Sequence, residues 1–197
     1  VTATTRTRLL PEERREQLLE LGLRLFSGST IDEISIDRLT EEAGVSRGLI
    51  YHYFGSKQGF REAVVQRAAD DLIAQTAPPE GDDPIAKLLA SLTAYVDYVI
   101  AHHEGYRSLV LAAAGGNEAV RGIYERARAA MIDRTFETPG VEDLLADTPA
   151  TRLVVRGWVA FVEDTVLTWC DSPQGVTRGE LARIVTDALP ALVGIVR

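Results

Sequence analysis

The chain has 197 residues, 46% hydrophobic and 25% charged, which are the proportions of a folded, water-soluble polypeptide and exclude the disordered and collagen-like classes. Its 21 Lys and Arg against 29 Asp and Glu leave a net charge of −8, so any contact with phosphate has to come from a locally basic surface on an acidic body. The one cysteine, Cys170, excludes an internal disulfide and has no second thiol or His pair at ligand spacing; no metal and no cofactor is expected.

No apolar run approaches the roughly 20 residues of a membrane span, and the richest, Trp158 to Cys170, is interrupted by Glu163 and Asp164. The start of the chain has basic residues but no apolar segment behind them, so no export and no membrane partner is expected, and the expected compartment is the cytoplasm. Residues 1–61 hold nine basic and nine acidic side chains, so the acidity belongs to the rest.

Apolar residues recur at three- and four-residue steps almost throughout, and alternating strand-like runs are missing; the fold class is all-α. Residues 1–10, with Arg6 and Arg8, read as a flexible arm. A helix is predicted from Glu12 to Phe26, with Glu12, Glu13 and Glu16 in its first turns, where the helix dipole favours anions. Ser35 precedes a short helix to about Ala43, Gly44 is the expected left-handed cap, and Ser46 opens the next helix, to Phe54. Gly55-Ser56 then leads into a helix from Lys57 to about Gln75, and Ala77 to Pro84 is the clearest break in the chain. Beyond it helices are predicted at Ile85–His103, Gly105–Ala114, Glu118–Phe136, a short one at Val141–Ala146, then Ala150–Asp171 and Arg178–Val196, the last with a kink or a lost hydrogen bond at Pro190.

The run from Ser35 to Phe54 has the mechanics of a helix-turn-helix. Leu39 and Ala43 face the core from its first helix, Gly44 permits the tight turn, and Val45 plugs the gap. On the second helix Ile50, Tyr53 and Phe54 share the buried flank, while Gly48, Tyr51 and His52 form a second set turned away. The outward set suits a major groove: Gly48 allows close approach, Arg47 reaches phosphate or guanine, and Tyr51 and His52 meet phosphate or base edges. Lys57, at the next helix start, is placed for a phosphate beside free N–H groups. The competing view makes Tyr51, His52 and Tyr53 ordinary packing aromatics.

Through Ala43-Gly-Val-Ser-Arg-Gly and Tyr51-His-Tyr-Phe-Gly-Ser-Lys57 the segment resembles the DNA-binding domain of the TetR family of transcriptional regulators, over roughly Arg14 to Val64. The resemblance implies DNA contacts from Ser35, Arg47, Gly48, Leu49, Tyr51, His52, Tyr53 and Lys57, with Tyr53 part packing and part phosphate contact. It further implies a division into an arm (1–10), a three-helix DNA-binding domain (11–56) and a larger helical domain for ligand binding and dimerisation (57–197). The chain departs from the family at Thr30, where a glycine is usual, so a different loop is expected from Ser27 to Ile34. Asp37 stands where some members carry a basic base-contacting residue, so specificity is expected to rest on the second helix.

In Ala150 to Asp171, Val154, Trp158, Phe161, Val162, Thr165 and Trp169 follow one stripe and Val155, Val159, Val166 and Cys170 another, leaving a narrow polar strip of Arg152, Arg156, Glu163 and Asp164. A helix so widely apolar needs two partner surfaces, read as domain core and subunit interface. The family pattern, a dimer through the last two long helices, implies the same, with two recognition helices on a palindromic double-stranded operator. Tyr95, Tyr98, His102, Tyr124, Met131, Trp158, Phe161, Thr165 and Trp169 are the candidates for an apolar small-molecule pocket, though any helical core is built of such residues. His102 and His103 are adjacent and so face different ways, against shared metal ligation.

The function expected is therefore a ligand-responsive repressor of palindromic DNA, acting as a homodimer under a small, largely apolar effector. Two alternatives stand beside it. One is a small-molecule enzyme on a helical fold, against which the sequence shows no phosphate loop, metal cluster or paired nucleophile and base. The other is a DNA-binding regulator with no ligand.

Overall fold

A computed structural model describes residues 10–27, 30, 33 and 35–195; residues 1–9 of the expected arm and most of the loop expected to differ lie outside them. Among the described residues the chain forms nine helices and no strand. They are α1 (Pro11–Ser27), α2 (Ile36–Ala43), α3 (Arg47–Phe54), α4 (Lys57–Gln75), α5 (Pro84–Ala101), α6 (His103–Ala114), α7 (Glu118–Glu137), α8 (Pro149–Asp171) and α9 (Arg178–Val193).

The helix starts follow from side-chain capping. The hydroxyls of Ser46 and Ser56 accept from the N–H groups of Leu49 (3.2 Å) and Gly59 (2.9 Å), and Ser35 stands in the same relation to Arg38. Each satisfies one of the donors a helix start leaves open. Asp83 caps α5 with Pro84 just inside, and Thr148 with Thr151 and Thr177 with Glu180 form capping boxes on α8 and α9. Gly44 closes α2 at φ 62°, ψ 39°, the left-handed conformation that lets α3 begin three residues later.

The structure departs from the predicted elements at three places. Val141 to Leu145 is a turn, with the N–H groups of Leu144 and Leu145 both donating to the Val141 carbonyl, and not a helix; six residues ahead of the Thr148-Pro149 start are too few to repay helix nucleation. Helix α9 stops at Val193, short of the expected Val196, with Pro190 inside it as expected. The proline's missing N–H leaves the Thr186 carbonyl without a helical donor. The stretch nearest to a membrane span is α5, long and apolar enough by length and composition, and not the Trp158–Cys170 run; it buries Leu92, Tyr95, Val96, Tyr98 and Val99 in the protein interior.

Two apolar clusters form that interior. The first joins Leu18 and Leu21 of α1, Leu39 of α2, Ile50 of α3 and Phe60, Val64 and Val65 of α4 to Leu109 of α6 and Val120 of α7. The second joins Leu72, near the end of α4, to Tyr95 and Val99 of α5, Trp158 and Val162 of α8, and Leu181 and Val185 of α9. Helix α4 thus contributes to both.

Between the clusters the packing is close. A Cβ placed on Gly105 of α6 would lie 2.3 Å from the Phe26 carbonyl oxygen at the end of α1, an approach only glycine allows. Arg67 of α4 pairs with Glu16 of α1 and with Asp71 (2.9 Å), and the two acids hold its guanidinium above its ordinary pKa. The Tyr98 hydroxyl of α5 donates to the Ala68 carbonyl of α4 (2.9 Å). Gly105→Ala should force α6 off α1 and destabilise the fold by about 1–3 kcal/mol, the cost of overpacking a tight contact, read as a lower midpoint in urea unfolding.

Candidate functional site

On α3 the two flanks separate as the residue spacing predicts. Ile50 is fully buried and Tyr53 and Phe54 are half-buried, while Arg47, Gly48, Tyr51 and His52 are exposed and Leu49 lies between. The buried flank is fixed by an edge contact of Phe54 on Phe60 (5.0 Å) and by Arg15 over the outer face of Phe54 (5.2 Å). Tyr51 remains 41% exposed and His52 is exposed beside it, so the view of all three aromatics as core filling holds for neither. Lys57 is exposed at the first residue of α4 and has no ion pair among the described residues. Ser35 is half-buried at the start of α2.

One feature of this surface was not legible in the sequence: Asp37 of α2 forms an ion pair with Arg47, both side chains about two-thirds exposed. Ten residues separate them, and only the crossing of α2 and α3 brings them together. Arg38 is taken up by Glu42 at 2.8 Å.

The body holds a cavity of about 340 Å³ among α5, α7, α8, α9 and the Val141 turn, reached also by Thr76 at the end of α4. That volume lies at the lower end of small-molecule sites, ~300–1,000 Å³. Of the nine aromatic and polar candidates, Tyr95, Met131 and Trp158 line it. Tyr98, His102 and Tyr124 instead surround a second, much smaller space beside α4, which Met131 also borders. Phe161 is 40% exposed on the outside of α8, Thr165 is half-buried, and Trp169 donates to the Val176 carbonyl (2.8 Å) beyond the cavity. The walls missed from sequence are mostly aliphatic, among them Leu88, Leu92, Leu145 and Leu189, with nothing in their pattern to separate a cavity wall from a core.

Glu163 is not on an exposed polar strip but 8% exposed in the middle of α8, because two other helices bring hydroxyl donors to it. Tyr106 of α6 donates to one carboxylate oxygen (2.8 Å) and Tyr124 of α7 to the other (2.6 Å). Tyr95 of α5 lies 3.0 Å from the Tyr106 hydroxyl, and Arg128 donates to that of Tyr124 (2.9 Å). Burial first, and the Glu163 charge after it, push Tyr95 well above the ordinary tyrosine pKa; burial leads the rise at Tyr106 and Tyr124 as well. The network joins α5, α6, α7 and α8 between the two spaces.

A three-helix support that presents one face of a short helix, joined to a larger helical body with an internal cavity, defines a helix-turn-helix regulator of transcription that binds DNA. Residues 18–64 match the model of bacterial regulatory proteins of the tetR family, and residues 84–192 match the tetracyclin repressor-like C-terminal domain. The chain belongs to the TetR family. It is 34% identical to a solved TetR-family transcriptional regulator from Streptomyces coelicolor, with a TM-score of 0.79 over 93% of this chain and 82% of that one. It is 26% identical over 173 residues, 87% of this chain and 78% of the relative, to the transcriptional activator FasR of Mycolicibacterium smegmatis. Similarity to the regulator BetI of Burkholderia thailandensis is confined to 89 residues at 34% identity, 44% of this chain and 46% of that protein.

The buried carboxylate sets a stability expectation. Glu163→Ala strands the hydroxyls of Tyr106 and Tyr124 without their acceptor, which should cost about 2–4 kcal/mol in denaturant unfolding, whereas Leu111→Ala on the exposed side of α6 should cost well under half of that.

Proposed function

We propose that the protein is a cytoplasmic repressor that acts by binding and not by catalysis, holds a palindromic operator as a homodimer, and leaves it when a small, largely apolar effector enters the cavity. The observation that carries the reading is the exposed face of α3, with Arg47, Gly48, Tyr51 and His52 turned outward from a helix otherwise locked to the core. In this reading that face enters the major groove, Leu49 and Tyr53 lie at its margin, and Ser35 and Lys57 hold flanking phosphates from the starts of α2 and α4. Residues 11–56 form the reading head, 57–197 the ligand-binding and dimerisation body, and 1–10 an arm.

Dimerisation is supported by the outer faces of α8 and α9. Leu153 is 71% and Phe161 40% exposed on α8, with Gly157 and Ala160 exposed between them, and Ile184 is 46% exposed on α9. Small residues between large apolar ones let a second helix approach closely, as a two-fold interface requires. Phe161→Asp and Leu153→Asp together should convert a dimer to monomers in sedimentation velocity and abolish tight operator binding; a monomeric parent would refute the arrangement.

Activation is a second reading, favoured by the FasR relative, whose name is that of an activator. Transcription in vitro from a template carrying the operator, with and without the protein, separates the two signs.

The Asp37–Arg47 pair gives the DNA interface a test of sign. Arg47→Ala and Lys57→Ala should each weaken binding in a gel shift and flatten the salt dependence by about one counterion per subunit. Asp37→Asn should do the reverse, strengthening binding and steepening that dependence, because it frees Arg47 and removes a negative charge from the phosphate-facing side. Binding indifferent to all three substitutions would overturn the assignment.

A further inference from the structure

The charges around the cavity are of one sign. Lys87 of α5 and Arg134 of α7 reach it, and among the described residues no Asp or Glu does. Most other wall residues are aliphatic or aromatic, with hydroxyls from Thr135 and Thr138 close to Arg134 in the chain. Arg134 is half-buried, and no carboxylate lies within ion-pair distance of it among the described residues. Its polar contacts are neutral: the Ile73 carbonyl at 2.7 Å and the Thr76 hydroxyl at 2.8 Å. Burial lowers its pKa with no nearby acid to restore it. A cation in that position is stabilised by the negative ends of α4 and of α7, in whose last turn it lies, and a half-buried charge without a counter-ion is costly. An anion supplied from outside would complete the site.

Resting on the reading of the cavity as an effector site, we infer that it takes an aliphatic carboxylate, the chain among Leu88, Leu92, Leu145 and Leu189 and the head on Arg134, with Lys87 as the second cation. The planar guanidinium fork matches a carboxylate bidentately, which a point charge does not. The same guanidinium donates to the last turn of α4, so the incoming head competes with the Ile73 carbonyl and Thr76 hydroxyl for it. Helix α4 runs back without interruption to Lys57, three residues after the end of α3. Head-group recognition and release of the α4 terminus therefore fall on one side chain.

The test uses the full chain with Trp169→Phe, which leaves Trp158, a cavity residue, as the one tryptophan, excited selectively over the six tyrosines. Decanoate, decanol and decyltrimethylammonium are titrated below their aggregation limits. Decanoate should bind at least about tenfold tighter than decanol, equivalent to ~1.4 kcal/mol, and decyltrimethylammonium weaker than either. Arg134→Gln should bring decanoate down to the affinity of decanol while leaving decanol unchanged, and should remove the decanoate effect on operator binding. Because Arg134 also holds α4, Lys87→Glu serves as a second variant at a half-exposed site whose side chain makes no hydrogen bond or ion pair to α4 among the described residues, and it should cut the decanoate preference severalfold. Equal binding of decanoate and decanol, or a preference that survives both substitutions, overturns the carboxylate assignment while leaving the cavity an effector site. Absence of any Trp158 response to all three probes overturns both.

Discussion

Helix α4 belongs to two hydrophobic cores at once, and the rest of the architecture depends on that. Its first half, through Phe60, Val64 and Val65, closes the small core under the recognition helix; its last turns, through Leu72, enter the core of the body. The eight-residue helices α2 and α3 are too short to hold themselves in water, where isolated helices under about 12–15 residues are marginal. Their geometry is therefore lent to them by α1 and α4. Whatever fixes α4 fixes the attitude of α3.

Two kinds of polar interaction brace this arrangement. Exposed pairs such as Arg38–Glu42 and Arg178–Asp97 lie in water and contribute little each. The Glu163 network is different in kind, because its carboxylate is enclosed and both oxygens are engaged by tyrosine hydroxyls from other helices. A buried acceptor so placed penalises every packing of α6 and α7 that fails to bring Tyr106 and Tyr124 to it, so it specifies one register of the body more than it adds stability. It lies between the cavity and the helices that flank α4, where a change of register would matter most.

The head was almost entirely legible in the sequence. Serine caps, Gly44 and the i, i+3, i+4 spacing of Ile50, Tyr53 and Phe54 are local signals, and the helices formed where they pointed. The family resemblance and the residue chemistry agreed on the same outward face. The body was legible as helices but not as a site. Apolar periodicity reports that a residue is shielded from water, and it is silent on whether the space beside it is filled; Leu88, Leu145 and Leu189 therefore looked like any core leucines. Glu163 was misplaced for a related reason, since a helical wheel assigns a charge to the outside unless its partners on other helices are known. The Val141 turn failed on length, six residues with a proline close behind. Asp37 with Arg47, and Arg134 with the end of α4, are encounters across helix crossings that no spacing rule contains.

The joint between head and body has a further property. The body meets α1 and α4 through apolar side chains, Leu109 of α6 and Val120 of α7 among them, and also through main-chain oxygens: Gly105 rests on the carbonyl of Phe26, Tyr98 donates to that of Ala68, and Arg134 donates to that of Ile73. Neither kind of contact involves the outward face of α3, where Arg47, Gly48, Tyr51 and His52 are exposed. That face is free to diverge without the body having to change in step. Exchange of heads between such proteins would be constrained by the apolar faces of α1 and α4 and by a close-approach glycine, and not by the letters on the outside of α3.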